Sequence, residues 1–182
     1  MSKRIALVIG HNAKAQGAVR VTDGRPEYEW NSDLARAIHA CAPALFTIFR
    51  RTPGAGEISR CYSQIPSNQF AATMELHFNS AATRSATGTE TLTSGTSGSL
   101  RLARLVQPAM VGALGLRDRG LVTIKKGSGG RGEGSLWTGA PPAILIEPYF
   151  GSNSDDCAAA VLHFHALARA ITGACMAYLK EL

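Results

Sequence analysis

At 182 residues the chain is the length of one domain with a single substantial core, and its hydrophobic fraction of 45% and mean hydropathy of +0.00 are those of a soluble globular protein. No apolar run approaches the length of a membrane span. The net charge of +6 and the isoelectric point near 9.5 favour an anionic partner. The basic residues are scattered and aromatics make up 7% of the chain, without the basic helix or aromatic platform that nucleic-acid binders use, so an acidic cell wall or membrane surface fits better.

In chain order, Arg4-Ile5-Ala6-Leu7-Val8-Ile9-Gly10 predicts a short buried strand that delivers His11 to the rim of a sheet, where open α/β sheets place ligands. The basic N-terminus mimics a signal peptide, but the apolar run is too short and cleavage there would remove His11, so synthesis in the cytoplasm without an export signal is expected. Pro26 suits the first turn of a helix, and the spacing that follows puts Trp30, Leu34, Ile38 and Cys41 on one apolar stripe. Glu27 projects within that stripe and Glu29 points away from it. A second reading of Glu27 is an N-terminal charge that only complements the helix dipole.

Residues 44–49 predict a second strand and residues near 56–65 a helix. Thr73-Met74-Glu75-Leu76-His77-Phe78-Asn79 then alternates, with Met74, Leu76 and Phe78 on one face and Glu75, His77 and Asn79 on the other. Strands are predicted at 88–93, 121–124 and 143–146, and a helix at 98–114 through Leu102, Leu105, Val106, Ala109 and Leu114. A final helix, about 156–180, carries its stripe on Val161, Phe164, Ala168, Ile171, Cys175 and Tyr178. On that helix His163 and His165 diverge to either side of Phe164 and cannot chelate one metal. The alternation of strands and helices predicts an α/β fold: a single domain over residues 1–182, with a twisted, largely parallel (mixed) sheet of about six strands flanked by helices.

Four cysteines, Cys41, Cys61, Cys157 and Cys175, show neither close pairing nor metal-type spacing, as in a chain made in a reducing compartment; Cys41 and Cys175 read as small core residues. Gly127-Ser128-Gly129-Gly130-Arg131-Gly132 satisfies the dinucleotide-loop pattern, yet the glycines and prolines that follow cannot open a phosphate-binding helix, so the stretch reads as a mobile loop. Trp137 beyond it reads as a packed anchor or as a platform for stacking on sugar.

Two imidazoles and a carboxylate from separate elements, with a fourth position left for water, form the ligand set of a catalytic zinc site, which makes His11, Glu27 and His77 candidate ligands. Glu147 ends the unbroken apolar strand Ala143-Ile144-Leu145-Ile146, before a proline that stops the ladder. It reads as a functional carboxylate or as the buried partner of an arginine.

With these segments in place the sequence resembles the zinc-dependent N-acetylmuramoyl-L-alanine amidases that cut peptidoglycan, particularly the compact phage and prophage endolysin type. The matching segments are the first strand with Gly10-His11, Glu27-Tyr28-Glu29-Trp30-Asn31 with Leu34-Ala35, Glu75-Leu76-His77-Phe78-Asn79, Gly88-Thr89-Glu90, and Ile144 through Asn153, in family order over nearly the whole chain. Two departures are Asn12 after His11, where many members have glycine, and Pro148-Tyr149 after Glu147; both are expected at the rim of the site. The resemblance implies that His11, Glu27 and His77 bind Zn2+, that Glu147 is the catalytic carboxylate, and that the substrate is a muramyl peptide of peptidoglycan. It further implies a lytic enzyme that acts in the periplasm after release through a holin pore; a monomer is expected, and the lack of repeats, low-complexity tails or a second domain predicts no separate wall-binding module in this chain. Asn79 would position substrate or support a ligand. The alternatives are a zinc peptidase or carboxypeptidase acting on another amide, and a non-catalytic protein of the same fold that binds cell wall or nucleic acid.

Overall fold

A computed structural model describes residues 3–182. Its elements are β1 (Arg4–Ile9), α1 (Glu27–Cys41), β2 (Phe46–Arg50), α2 (Glu57–Tyr62), β3 (Phe70–Leu76), β4 (Thr89–Thr93), α3 (Ser97–Leu114), β5 (Asp118–Thr123), α4 (Glu133–Trp137), β6 (Ala143–Glu147), α5 (Ser154–Leu162) and α6 (Phe164–Lys180). The six strands form one sheet in the order β2-β1-β3-β6-β4-β5. Every neighbouring pair is parallel except β4 with β6. The expected architecture is therefore observed, and the one antiparallel pairing decides what reaches the site. It brings the start of β4 to the edge where β1, β3 and β6 end.

Strand alternation divides the core between the two faces of the sheet. Ile5, Leu7, Ile9, Met74, Leu76, Ile144 and Ile146 pack with α1, α3, α5 and α6, while Ala6, Val8, Leu92 and Leu145 lie on the face covered by the short helices α2 and α4. On the first face Trp30 stacks edge-on against Tyr149 at 4.8 Å between ring centroids and against Phe78 at 6.2 Å. Burying a Leu, Ile or Phe side chain contributes about 1.5–3 kcal/mol. This apolar floor, with Leu34 and Ile38 beside it, fixes the start of α1 against the end of β3.

Several sequence expectations need correction. The single C-terminal helix is two, bent by 73° at His163. Asn153 caps α5 by accepting from the amides of Asp155 and Asp156, and the bend buries Cys157 and Ala160 on one side of the corner and Leu167, Ala168 and Ile171 on the other. Val161, expected on the buried stripe, is 58% exposed as a result. Cys41 is exposed because α1 ends there at the surface, whereas Cys175 is buried. The edge strand β5 begins three residues earlier than its apolar stretch, since an edge strand does not need the Asp118–Gly120 segment to be apolar. Residues 127–132 were expected to lead into no helix; the five-residue α4 follows directly, and Glu133 accepts from the amides of Gly127 and Gly129.

Candidate functional site

His11, Glu27, His77, Asn79, Arg131 and Glu147 line one cleft of about 440 Å³ at the edge where β1, β3 and β6 end. Strand β1 ends at Ile9, and Gly10 pairs its amide with the Leu76 carbonyl at 3.0 Å, so the side chain that follows is turned off the sheet. His11 holds φ at +66°, and it is the one non-glycine residue with positive φ among those described. Asn12 pins the following turn by accepting from the amides of Lys14 and Ala15 at 2.8 and 2.9 Å. An Asx side chain supports such a turn where glycine would only permit it.

Glu27 opens α1 and is buried, while Glu29 is exposed, as helical phase required. The Glu27 carboxylate accepts from the amides of Ala18 at 3.2 Å and Phe78 at 3.1 Å. Its Oε2 lies 3.1 Å from Nε2 of His11 and its Oε1 lies 2.8 Å from Nδ1 of His77. The imidazole rings meet edge to face at 4.9 Å between centroids. One donor atom from each of His11, Glu27 and His77 lies within 4.8 Å of the others. Without a metal, burial pulls the His77 imidazole down, but its hydrogen bonds to Glu27 and Glu75 outweigh that and raise it to about 9. Burial likewise raises Glu27, and the hydrogen bonds to His11 and His77 overcome it and hold the carboxyl at about 2.

This donor set fits zinc. Two neutral imidazoles and one carboxylate leave an open coordination position, as in hydrolytic zinc sites. Two glycines keep the space clear: a Cβ on Gly10 would lie 2.5 Å from the His77 ring, and one on Gly17 would lie 2.6 Å from His11 and 2.7 Å from Glu27. Gly17 also holds φ at +78°, which glycine adopts without strain.

On the far side of the cleft stands a second, acidic cluster. Glu147 at the end of β6 and Glu90 near the start of β4 are register neighbours of the antiparallel pair. Both are buried. Asn79 donates from Nδ2 to both carboxylates at 3.0 Å. Arg131, half exposed at the tip of the glycine-rich loop, lies 2.8 Å from Glu147 Oε2 and is also paired with Glu90. Arg119 at the start of β5 donates to Glu90 at 2.6 Å, its guanidinium resting over the Phe150 ring. Burial pushes the Glu147 carboxyl above its ordinary range, with Arg131 opposing and Glu90 adding to the rise. For Glu90 burial acts the same way, but Arg119 and the neighbouring donors prevail and hold it ionised.

The structure thus brings all four sequence-derived site residues into one cleft. Asn79 is there too, attached to the acidic pair and to no metal-donor side chain. Glu147 has an arginine partner, though a half-exposed one at the cleft mouth. Glu90, Arg131 and Arg119 were given no role from the sequence: β4 gives no sign of its direction there, and Arg131 lay in a glycine-rich loop whose dinucleotide-type pattern pointed to no site. Trp137 is an anchor, its indole N–H donating to the Ile124 carbonyl at 2.9 Å beside Leu136 and Leu92. Tyr149 is buried against Trp30 and does not form the rim of the site, correcting that expectation.

A family model described as N-acetylmuramoyl-L-alanine amidase matches residues 5–175. No curated protein matches the sequence significantly. Among solved structures, the N-acetylmuramoyl-L-alanine amidase of Clostridium difficile 630 superposes with a TM-score of 0.83 at 21% identity, covering 99% of this chain and 98% of that one. The catalytic domain of CwlV, an N-acetylmuramoyl-L-alanine amidase of Bacillus (Paenibacillus) polymyxa var. colistinus, gives 0.79 at 22% identity, with 97% and 98% covered. The catalytic domain of the CD27L endolysin, which targets Clostridium difficile, gives 0.77 at 19%, with 96% and 97% covered. At these identities the superpositions speak to the fold.

Proposed function

Because the chain belongs to the N-acetylmuramoyl-L-alanine amidase family, we propose that it hydrolyses the amide bond between the lactyl carbonyl of N-acetylmuramic acid and L-alanine in peptidoglycan. The observation that carries the reading is the convergence of His11, Glu27 and His77 on one point, with Glu147 facing the same cleft.

His11, Glu27 and His77 would hold one zinc ion. Bound there, zinc supplies Lewis acidity that polarises the scissile carbonyl and brings the pKa of a water to about 7. Glu147 takes the proton of the attacking water and returns it to the departing alanine nitrogen. Asn79 and Arg131 both meet Glu147 at Oε2, and the neighbouring Glu90 shares a side-chain hydrogen bond with it. A base that is also a donor works best near the ambient pH; in the metal-free protein burial raises Glu147, and a cation held in the same cleft would draw it back down. Asn79 and Arg131 orient the carboxylate.

The net charge of +6 suits an anionic wall, and we place the action of this monomeric catalytic domain in the periplasm. No single helix among the described residues is long and apolar enough to cross a membrane. The test is zinc analysis of the purified protein together with mass analysis of digested peptidoglycan. One zinc per chain and new free N-terminal L-alanine are expected. New termini within the stem peptide, with L-alanine still attached to muramic acid, would make the protein a peptidase, and an intact wall would make it a binding protein.

A further inference from the structure

Glu75 sits two residues before His77 in β3, so strand periodicity puts both side chains on the sheet face covered by α2 and α4. It is wholly buried. A carboxylate at the centre of a six-stranded sheet demands partners, and it has three. Arg51, just after β2, forms an ion pair with Oε1; the hydroxyl of Tyr62, at the end of α2, donates to Oε2 at 2.6 Å; and Nε2 of His77 lies 2.8 Å from Oε1. Arg51 is in turn held by Ser135 of α4 at 2.9 Å and faces Glu57 of α2 at 3.6 Å.

Fold stability alone is a poor reason for this arrangement, because a buried ion pair is often replaced by packed apolar residues with no loss of stability. The geometry at His77 supplies a better one. Its ring has two nitrogens, and Nδ1 is the one 2.8 Å from Glu27, on the side of the donor cluster. The opposite nitrogen, Nε2, points at Glu75. In the neutral ring that a metal ion requires, a carboxylate there accepts an Nε2–H bond, which leaves Nδ1 without a proton and with a lone pair directed at the cluster. The ring cannot rotate out of this position without breaking a bond that Arg51 and Tyr62 hold in place.

We propose that Glu75 is a positioning residue of the metal centre: it fixes the Nε2–H tautomer of His77, aims Nδ1 beside Glu27 and His11, and makes that nitrogen a more basic ligand. Groups of this kind behind a ligating histidine are typically worth 10–100-fold in metal affinity. The proposal rests on the zinc reading above and assigns to this chain a specific support for it, which Arg51 and Tyr62 complete.

The experiment is zinc competition against a chromophoric chelator, with folding followed by circular dichroism. Glu75→Gln should fold and bind zinc 10–100-fold more weakly than the parent. If the unpaired Arg51 prevents that variant from folding, Glu75→Gln combined with Arg51→Met removes both buried charges and should show the same loss. On the parent protein, labelled with ¹⁵N-histidine and loaded with zinc, His77 should show a protonated Nε2 and a metal-shifted Nδ1. A folded Glu75 variant whose zinc affinity lies within twofold of the parent overturns the proposal and leaves the metal centre standing. So does a metal-shifted Nε2 on His77. A parent protein that takes up no zinc overturns both.

Discussion

The two walls of the cleft are built in different ways. The metal-donor wall is made by backbone: Glu27 is held by the amides of Ala18 and Phe78, His77 donates its own amide to the Ile146 carbonyl at 3.0 Å, and two glycines set the clearances. The acidic wall is made by side chains, and one of them, Arg131, is half exposed on a loop. Backbone bonds inside a sheet open only when the sheet does, whereas an exposed ion pair is worth about 0–1 kcal/mol and can be exchanged for a ligand. The wall of His11, Glu27 and His77 is therefore rigid, and the acidic wall is adjustable at the mouth of the cleft.

The sharpest break of this comparison removes a donor. His77→Ala should lose most of its zinc and with it essentially all wall-lytic activity, as measured by metal analysis and dye release. Full zinc retention would dissolve the donor wall as described. Its companion is the contrast between Glu27→Gln, which should lose zinc, and Glu29→Gln, which is exposed and should keep it. The reverse result would mean that the register of α1 is wrong.

Next in size is the acidic wall. Glu147→Gln should remain folded and zinc-loaded while losing on the order of 10²–10⁴-fold in rate, the usual contribution of a general base. A loaded, folded variant that lyses peptidoglycan near the parental rate would take Glu147 out of the reaction.

A smaller effect separates the walls by pH. In the metal-free protein His77 is raised from 6.5 to about 9, so its contribution to stability is complete below about pH 6.5 and is lost as pH rises through about 9. Glu147, raised from 4.5, loses its contribution as pH rises as well. Glu27 and Glu75, both held at about 2, act at the other end: their contribution is present above pH 4.5 and disappears as pH falls toward 2. The melting temperature in chelator should thus fall between pH 6.5 and 9. Zinc replaces the proton on His77, so the stabilisation it adds should grow across the same window, reaching about 4 kcal/mol at a thousandfold excess over the dissociation constant. Parallel slopes with and without zinc would separate His77 from the metal.

The smallest effect belongs to Arg131→Gln. It should leave zinc content unchanged and alter rate by less than the Glu147 substitution, with most of the change in KM, because the arginine orients the carboxylate at the mouth of the cleft and takes no proton. A loss as deep as that of Glu147→Gln would make Arg131 part of the chemistry.

The donor wall was legible in the sequence because each member lies where a local rule speaks: His11 and His77 at strand ends, Glu27 in phase with Trp30, Leu34 and Ile38. Glu147 was legible for the same reason. Its neighbour Glu90 lay in the matching segment Gly88-Thr89-Glu90, but its place beside Glu147 was not legible, since a five-residue strand carries no mark of its direction and only the antiparallel register sets the two side by side. Arg51 is one of the scattered basic residues in the sequence, yet it is buried under α2 and α4, a placement that depends on helices too short to show a period. The bend at His163 escaped for the opposite reason, because the stripe from Phe164 onward continues backward through Val161 in helical phase and no proline or glycine marks the break between α5 and α6.

The left-handed backbone of His11 turns this wall into an evolutionary compromise. A histidine at φ +66° is tolerated more readily than most residues, but it still sacrifices about 1–2 kcal/mol that glycine would not. A His11→Gly protein, stripped of metal by chelator, recovers that strain but loses the hydrogen bond from His11 to the buried Glu27 carboxylate, so it should melt close to the equally stripped parent while binding zinc poorly. Improvement of the enzyme for heat is best sought elsewhere, for example at the exposed apolar corner formed by Val161 and Leu162, where nothing in the cleft depends on the side chain.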